Sequence, residues 1–189
     1  MIEKAIIASI GDPILRRKTL EVKINKILSS KIKSIIKKLI STMRKLNGAG
    51  LAANQIFYNL RICVIELENN KRYKHLPNIP LTVLINPKIT VLNKNSTFNS
   101  YEGCLSVPNL RGIVKRFTNI KVDYYDENKK FHSKEISGFA AVVYQHEIDH
   151  LDGILFTDKV SDNKSLVSYS NYLKYHEKIY LRSIKKNFY

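Results

Sequence analysis

Hydrophobic residues recur at helical spacing along this chain. Ile32, Ile35, Ile36, Leu39, Ile40 and Met43 fall at i, i+3, i+4, i+7, i+8 and i+11, which sets them on one face of an α-helix with lysines on the other. Ser29-Ser30 can cap its start, and Asn47-Gly48 can end it. The same intervals recur from Phe139 through Val142, Val143, His146, Glu147 and His150, inside a helix predicted over Gly138 to Leu151. Here the second half of the inward face is titratable rather than apolar. The helix should therefore run through the core with its functional groups pointing inward. A third helix is predicted over 165–185, with Leu166, Tyr169, Leu173, His176 and Tyr180 near one face.

Strand signals lie between the helices. Arg61 to Leu67 and Leu81 to Ile85 are β-branched and apolar, and Asn86-Pro87 should end the second, with Ile89 to Leu92 resuming after a break. Ile120, Val122 and Tyr124 alternate, as do Phe131 and Ser133 before Ile136, and the turn at Asp126–Lys129 between them predicts a hairpin. Residues 11–15 read as a turn after a short extended start, and residues 68–80 and 93–100 as polar loops. Cys63, inside its strand, reads as a small buried residue.

The length of 189 residues suits one domain with its own hydrophobic core. Two cysteines make no disulfide framework, which fits a reducing compartment. The N-terminal apolar patch lacks the charge order of a signal peptide and is cut short by Gly11-Asp12-Pro13. No apolar run nears the roughly 20 residues of a bilayer span, so no membrane role is expected. The formal charge of +16 is uneven: residues 16–45 carry eleven Lys/Arg against Glu21 alone, and residues 163–189 carry six against Glu177. Glu135 to Asp158 holds five acids and no Lys or Arg. The basic blocks read either as solvated helix faces or as attraction to a polyanion such as ribosomal RNA.

Within that acidic region lies Gln145-His-Glu-Ile-Asp-His-Leu-Asp-Gly153. His146 and His150 share a helix face at i, i+4 and can close on one metal ion, and Glu147 can reach a water at that metal. A catalytic metal of this kind needs a third protein ligand and an open position. A downstream histidine three residues beyond Gly153 is excluded, because Phe156 stands there. Glu177 and Cys104 remain, the latter in Glu102-Gly-Cys-Leu-Ser106. The loop Gly48-Ala-Gly-Leu-Ala-Ala-Asn-Gln55 permits close backbone approach and ends on a neutral amide donor, Gln55. On its own it also reads as a plain helix-to-strand turn.

Taken together and in this order, these three segments resemble the peptide deformylase family, in its bacterial-type branch, and Gly11-Asp-Pro-Ile-Leu-Arg16 is similar to the family's usual opening. The resemblance covers roughly residues 5–160. With the elements above it implies an α+β fold: antiparallel β-sheets packed around a central helix that carries His-Glu-x-x-His, plus an N-terminal amphipathic helix and a C-terminal helix. One catalytic domain over 1–189 is expected, with a basic helical tail at about 163–189.

The resemblance also implies removal of the formyl group from formyl-methionine at the start of new polypeptides, releasing formate. It implies Cys104, His146 and His150 as ligands of one divalent metal, natively Fe²⁺, with Zn²⁺, Ni²⁺ or Co²⁺ able to replace it. Glu147 is the implied general base, and Gln55 with the Leu105 backbone N–H the implied oxyanion donors. Ala49, Gly50, Gly103, Arg111, Phe139, Val142 and Val143 are implied on the substrate side. Two positions depart from the family: Ala49 is smaller than the usual aliphatic residue, and Phe57 replaces a glycine after the first segment. The expected partners are nascent N-formylmethionyl polypeptides, with transient ribosome contact through the basic helices. A cytoplasmic or equivalent reducing location and a monomer or weak dimer are expected. Two other readings compete: a thermolysin-like metallopeptidase with Glu177 as third ligand, and an RNA- or ribosome-binding protein with a structural metal.

Overall fold

The computed structural model describes residues 6–68 and 78–188. In chain order it contains α1 (Ser30–Lys45), β1 (Gly50–Ala52), β2 (Ile62–Ile65), β3 (Thr82–Val91), β4 (Thr97–Cys104), β5 (Val107–Phe117), β6 (Asn119–Tyr125), β7 (Phe131–Ser137), α2 (Gly138–Leu151), β8 (Val167–Ser168), α3 (Tyr169–Asn171) and α4 (Glu177–Phe188). One π-helical turn, Tyr172–His176, joins α3 to α4. The fold is α+β, with two antiparallel sheets of order β1-β2-β3-β6-β7 and β4-β5-β8.

The predicted start of α1 is observed: Ser29 Oγ accepts from the Ile32 N–H. Its apolar stripe buries Ile32, Ile35, Ile36, Leu39 and Met43 and leaves its lysines exposed. That stripe packs on one face of the five-stranded sheet, against Ile62 and Val64 of β2 and Val83 and Ile85 of β3. The residues between them, Cys63, Ile65 and Leu84, point to the opposite face and join the core under α2. With both faces covered, β2 is buried at every position, which is why it reads as a continuous apolar run. β7, at the sheet's edge, is mostly exposed.

Helix α2 spans the predicted residues and is buried on nearly every side. It packs between the two sheets and touches α4. Among the described residues no helix is long and apolar enough to cross a membrane.

Several expectations change. Asn86-Pro87 does not end a strand: β3 runs through it, and the register against β6 shifts between Ile85 and Lys88, with Asn86 at φ +54°. This is a bulge, which accommodates a proline inside a sheet. The Asn86 side chain fixes the kink by exchanging hydrogen bonds with the Val22 backbone at 2.8 Å in each direction. The second half of the polar loop expected at 93–100 is the first half of β4, and β5 has no counterpart among the predicted elements. The helix expected from 165 begins at Tyr169, after β8 pairs with Leu110 and Arg111. Its inward face carries Tyr172, Tyr180 and Ile184, whereas Leu173 is exposed. Of the loop expected at 68–80, and of the extended start before Gly11, the parts at 69–77 and 1–5 lie outside the described residues.

Phe57 adopts φ +68°, the left-handed conformation that glycine enters without steric cost. The turn therefore keeps the path a glycine would take and carries a roughly 1–2 kcal/mol backbone cost instead.

Candidate metal centre and active site

Strand alternation and helix periodicity converge on one point. On β4, Ser100, Glu102 and Cys104 face inward together because side chains alternate along a strand. On α2, His146 and His150 stack one turn apart, with ring centroids 5.0 Å from each other. The Cys104 thiol and one nitrogen of each histidine all lie within 4.8 Å of one another. Cys104 Sγ is 3.2 Å from His150 Nε2.

Burial opposes a thiolate at Cys104, but the charges and hydrogen bonds of His150 and His146 outweigh it and hold the thiol well below its usual range. Cys63 provides the contrast: burial, reinforced by the Glu147 charge, pushes its thiol up, so it remains a neutral core residue.

The ligand candidates are held in place from behind. Glu102 accepts from Arg116 Nε at 2.6 Å and Nη2 at 2.9 Å, and from His146 Nδ1–H at 2.8 Å. Burial alone would raise this carboxyl, but the Arg116 bonds and charge, with His146, bring it down to about 2. Ionised Glu102 keeps the His146 proton on Nδ1 and leaves Nε2 with its lone pair facing the cluster. Arg116, almost completely buried, also donates to Asp149, which in turn accepts from Lys159 Nζ at 2.7 Å. Asn54 Nδ2 donates to the His150 carbonyl at 2.6 Å and ties the α2 backbone to the segment after β1.

These residues fit a divalent transition metal. One thiolate and two imidazole nitrogens converge at ligand spacing, and a carboxylate fixes one imidazole's tautomer from the far side. Glu177 does not join the cluster, and Cys104 does.

Beside the cluster opens a cavity of about 350 Å³. Glu147 reaches it from α2. It is buried, its Oε2 has no hydrogen-bond partner among the described residues, and burial pushes its carboxyl up to about 7 against the pull of His146 and His150. Gly50 makes its position possible, because a Cβ there would fall 2.4 Å from Glu147 Cδ.

Gln55 enters from the short 3₁₀ turn after β1. The Ala52 N–H donates to its Oε1 at 2.8 Å, which aims Nε2 toward Ser106 Oγ at 3.0 Å and Cys104 Sγ at 3.5 Å. Leu105 lines the cavity from the turn between β4 and β5.

Ala49, Gly50, Gly103, Arg111, Phe139, Val142 and Val143 also line it. Arg111 is not a surface-loop charge: it sits on β5, mostly buried, with its guanidinium 4.6 Å from the centre of the Tyr169 ring. It passes so close to Gly103 that a Cβ there would lie 1.5 Å from Arg111 Nη1. His150 lies deeper, behind the cavity wall, at 1% exposure.

Comparison with known proteins accounts for this arrangement. A family model described as polypeptide deformylase matches residues 4–166. The chain belongs to the polypeptide deformylase family, and so to a family of hydrolases. It is 38% identical over 166 residues to peptide deformylase 2 of Nostoc sp., covering 88% of this chain and 91% of that protein. It is 40% identical over 159 residues to a peptide deformylase of Leptospira biflexa, covering 84% and 88%. Among solved structures, the Met-Ala-Ser-bound class I type b peptide deformylase from Acinetobacter baumannii superimposes with a TM-score of 0.77 at 32% identity, covering 85% of this chain and all 100% of that one. The peptide deformylase of Thermotoga maritima gives 0.73 at 34% identity, covering 82% and 97%.

Sequence reasoning assigned no role to the Glu102–Arg116–Asp149 network or to Ser106. The position of Glu102 two residues before Cys104, the spacing that puts both on one strand face, was the signal available. The tyrosines of the C-terminal segment that line the cavity, Tyr169, Tyr172 and Tyr180, were not associated with the site either.

Proposed function

We propose that the protein is a metal-dependent peptide deformylase that hydrolyses the formyl group from N-formylmethionyl polypeptides, leaving formate and a free amino terminus. The observation that carries this reading is the juxtaposition of three ligand atoms within 4.8 Å of one another, with Cys104 and His146 lining the cavity and His150 just behind its wall, and a buried carboxyl at that cavity with one oxygen that has no hydrogen-bond partner among the described residues.

Cys104, His146 and His150 would hold the metal, and Fe²⁺ is the assignment favoured by family membership, with Zn²⁺, Ni²⁺ and Co²⁺ compatible with the same donors. Bound there, a divalent cation acidifies water and polarises a carbonyl. Glu147 takes the proton of the attacking water and returns it to the leaving amine. A carboxyl raised to about 7 is suited to both transfers near neutral pH. The Gln55 Nε2–H and the Leu105 backbone N–H donate to the formyl oxygen as negative charge develops on it. Phe139, Val142 and Val143, with Ala49, receive the methionyl side chain, and the reduced bulk of Ala49 widens that pocket. The peptide backbone runs beside Gly50 and Gly103, with Arg111 at the outer edge.

The whole chain acts as one catalytic domain, in the cytoplasm or an equivalent reducing space, as a monomer or weak dimer. The exposed lysines of α1 and of the C-terminal segment favour transient contact with the ribosome, where its substrates emerge.

Metal content separates this reading from a thermolysin-like peptidase. Cys104→Ser should lose stoichiometric metal and Glu177→Gln should keep it. The reverse result would move the third ligand to Glu177.

A further inference from the structure

The two histidines of the ligand cluster are held by different means. His146 is oriented through its ring, because Glu102 accepts from its Nδ1–H at 2.8 Å. No protein group among the described residues bonds to Nδ1 of His150, although that residue is only 1% exposed. His150 is reached through its backbone instead. Its carbonyl lies in the last turn of α2, where helix geometry leaves carbonyls without a partner further along the helix. The Gly153 N–H donates to it at 3.1 Å from the adjoining turn, and Asn54 Nδ2 donates to it at 2.6 Å from a separate element. The orientation of the Asn54 amide follows from its partner, since a carbonyl only accepts.

Asn54 belongs to the 3₁₀ turn Ala53–Ile56, which is buried at all four positions. Ala53 and Ile56 join the apolar cluster beneath α1, while Asn54 and Gln55 carry the turn's polar groups toward the ligands. Gln55 Nε2 lies 3.5 Å from Cys104 Sγ, on the side of β4. Adjacent residues of one turn thus reach both elements that bring Cys104 Sγ and His150 Nε2 to 3.2 Å. A buried amide is costly unless it is bonded, and the bond made by the Asn54 side chain goes to a ligand residue.

We propose that Asn54 is a positioning residue for the metal centre: by anchoring the His150 backbone to the turn that carries Gln55, it fixes where His150 stands relative to Cys104. It does for His150 through the main chain what Glu102 does for His146 through the ring. The proposal rests on Cys104, His146 and His150 being the metal ligands. The next carbonyl provides a control. The N–H and Oγ1–H of Thr19 both donate to the Leu151 carbonyl at 2.9 Å, a buried tie at the same helix end, but the Leu151 side chain enters the apolar core.

The test titrates the full-length, metal-stripped protein with Co²⁺, reading affinity by competition with a chelator and coordination by the visible ligand-field bands. Asn54→Leu keeps the size of the side chain and removes the donor. It should bind Co²⁺ about tenfold more weakly, with shifted bands. Asn54→Ala introduces no clash and should show the same two changes, so a leucine variant that fails to fold does not end the test. Thr19→Val should lower the melting temperature and leave affinity and bands as in the wild type. Wild-type affinity and bands in Asn54→Ala overturn the proposal, whatever its melting temperature. Equal weakening in Asn54→Ala and Thr19→Val also overturns it, because the effect would then be a general loosening of the helix end. A wild-type protein that binds no Co²⁺ overturns the ligand assignment itself.

Discussion

Replacing Glu102 by glutamine tests whether the buried network behind His146 holds the metal ligand in place. The side chain keeps its shape but loses its charge and one acceptor oxygen. It now presents an NH₂ to partners that are all donors: Arg116 Nε and Nη2, and His146 Nδ1–H. Removing one member of a buried ion pair costs about 3–5 kcal/mol. Arg116 retains Asp149, so the lower end applies, about 3 kcal/mol. The acidity of Glu102 gives a similar figure: a fall from 4.5 to about 2 corresponds to about 3 kcal/mol of preference for the ionised form in the folded state.

For a chain of this size that is a melting temperature lower by about 6–12 °C. Because the folded-state value is depressed, the stability from Glu102 is complete above pH 4.5 and is lost as pH falls through about 2. The gap between wild type and variant should therefore narrow across that window. His146 would also lose the ionised acceptor that fixes its tautomer, which should weaken metal binding about 10–100-fold. Circular-dichroism melts of chelator-treated protein at several pH values give the first quantity, and competition with a calibrated chelator gives the second. Equal melting temperatures together with equal metal affinities would refute the positioning role.

Gly50→Ala places a methyl group 2.4 Å from Glu147 Cδ, so Glu147 must move. Turnover should fall about 100-fold, the scale on which a misplacement of about 1 Å acts, while metal content measured on the same sample remains stoichiometric. Gln55→Ala removes one of the two proposed oxyanion donors and should lower kcat by about 10²–10³, read in steady-state formate release. A wild-type rate would remove Gln55 from the mechanism.

What could be read from the residues alone follows from where periodicity is unbroken. α1 and α2 were legible because their inward faces repeat without interruption, and in α2 that repeat passes directly from Val143 into His146, Glu147 and His150. β4 and β5 were not, because their inward positions are polar: Ser100, Glu102, Arg111 and Arg116 are buried yet read as surface residues. Ser100 is satisfied by Tyr180, Glu102 by Arg116 and His146, and Arg111 lies over the Tyr169 ring, and only the folded chain brings these partners together. Asn86-Pro87 misled for a related reason, since the bulge depends on a hydrogen-bonded exchange with Val22 that no local signal announces. The grouping of Cys104, His146 and His150 into a candidate metal site was legible in their residue types and segment order. The support behind it was not, because an ion pair between β4 and β5 leaves no spacing rule in the sequence.

The central claim is that this cavity hydrolyses a formyl amide with Glu147 as the proton carrier. The most direct measurement is formate release from a formyl-methionyl peptide by anaerobically purified, Fe²⁺-loaded protein, beside Glu147→Gln at matched metal content. The account predicts stoichiometric formate and free amine from the wild type, and a loss of at least about 100-fold in the variant with its metal retained. Formate release by Glu147→Gln at the wild-type rate, or none from either protein with metal bound, would contradict it.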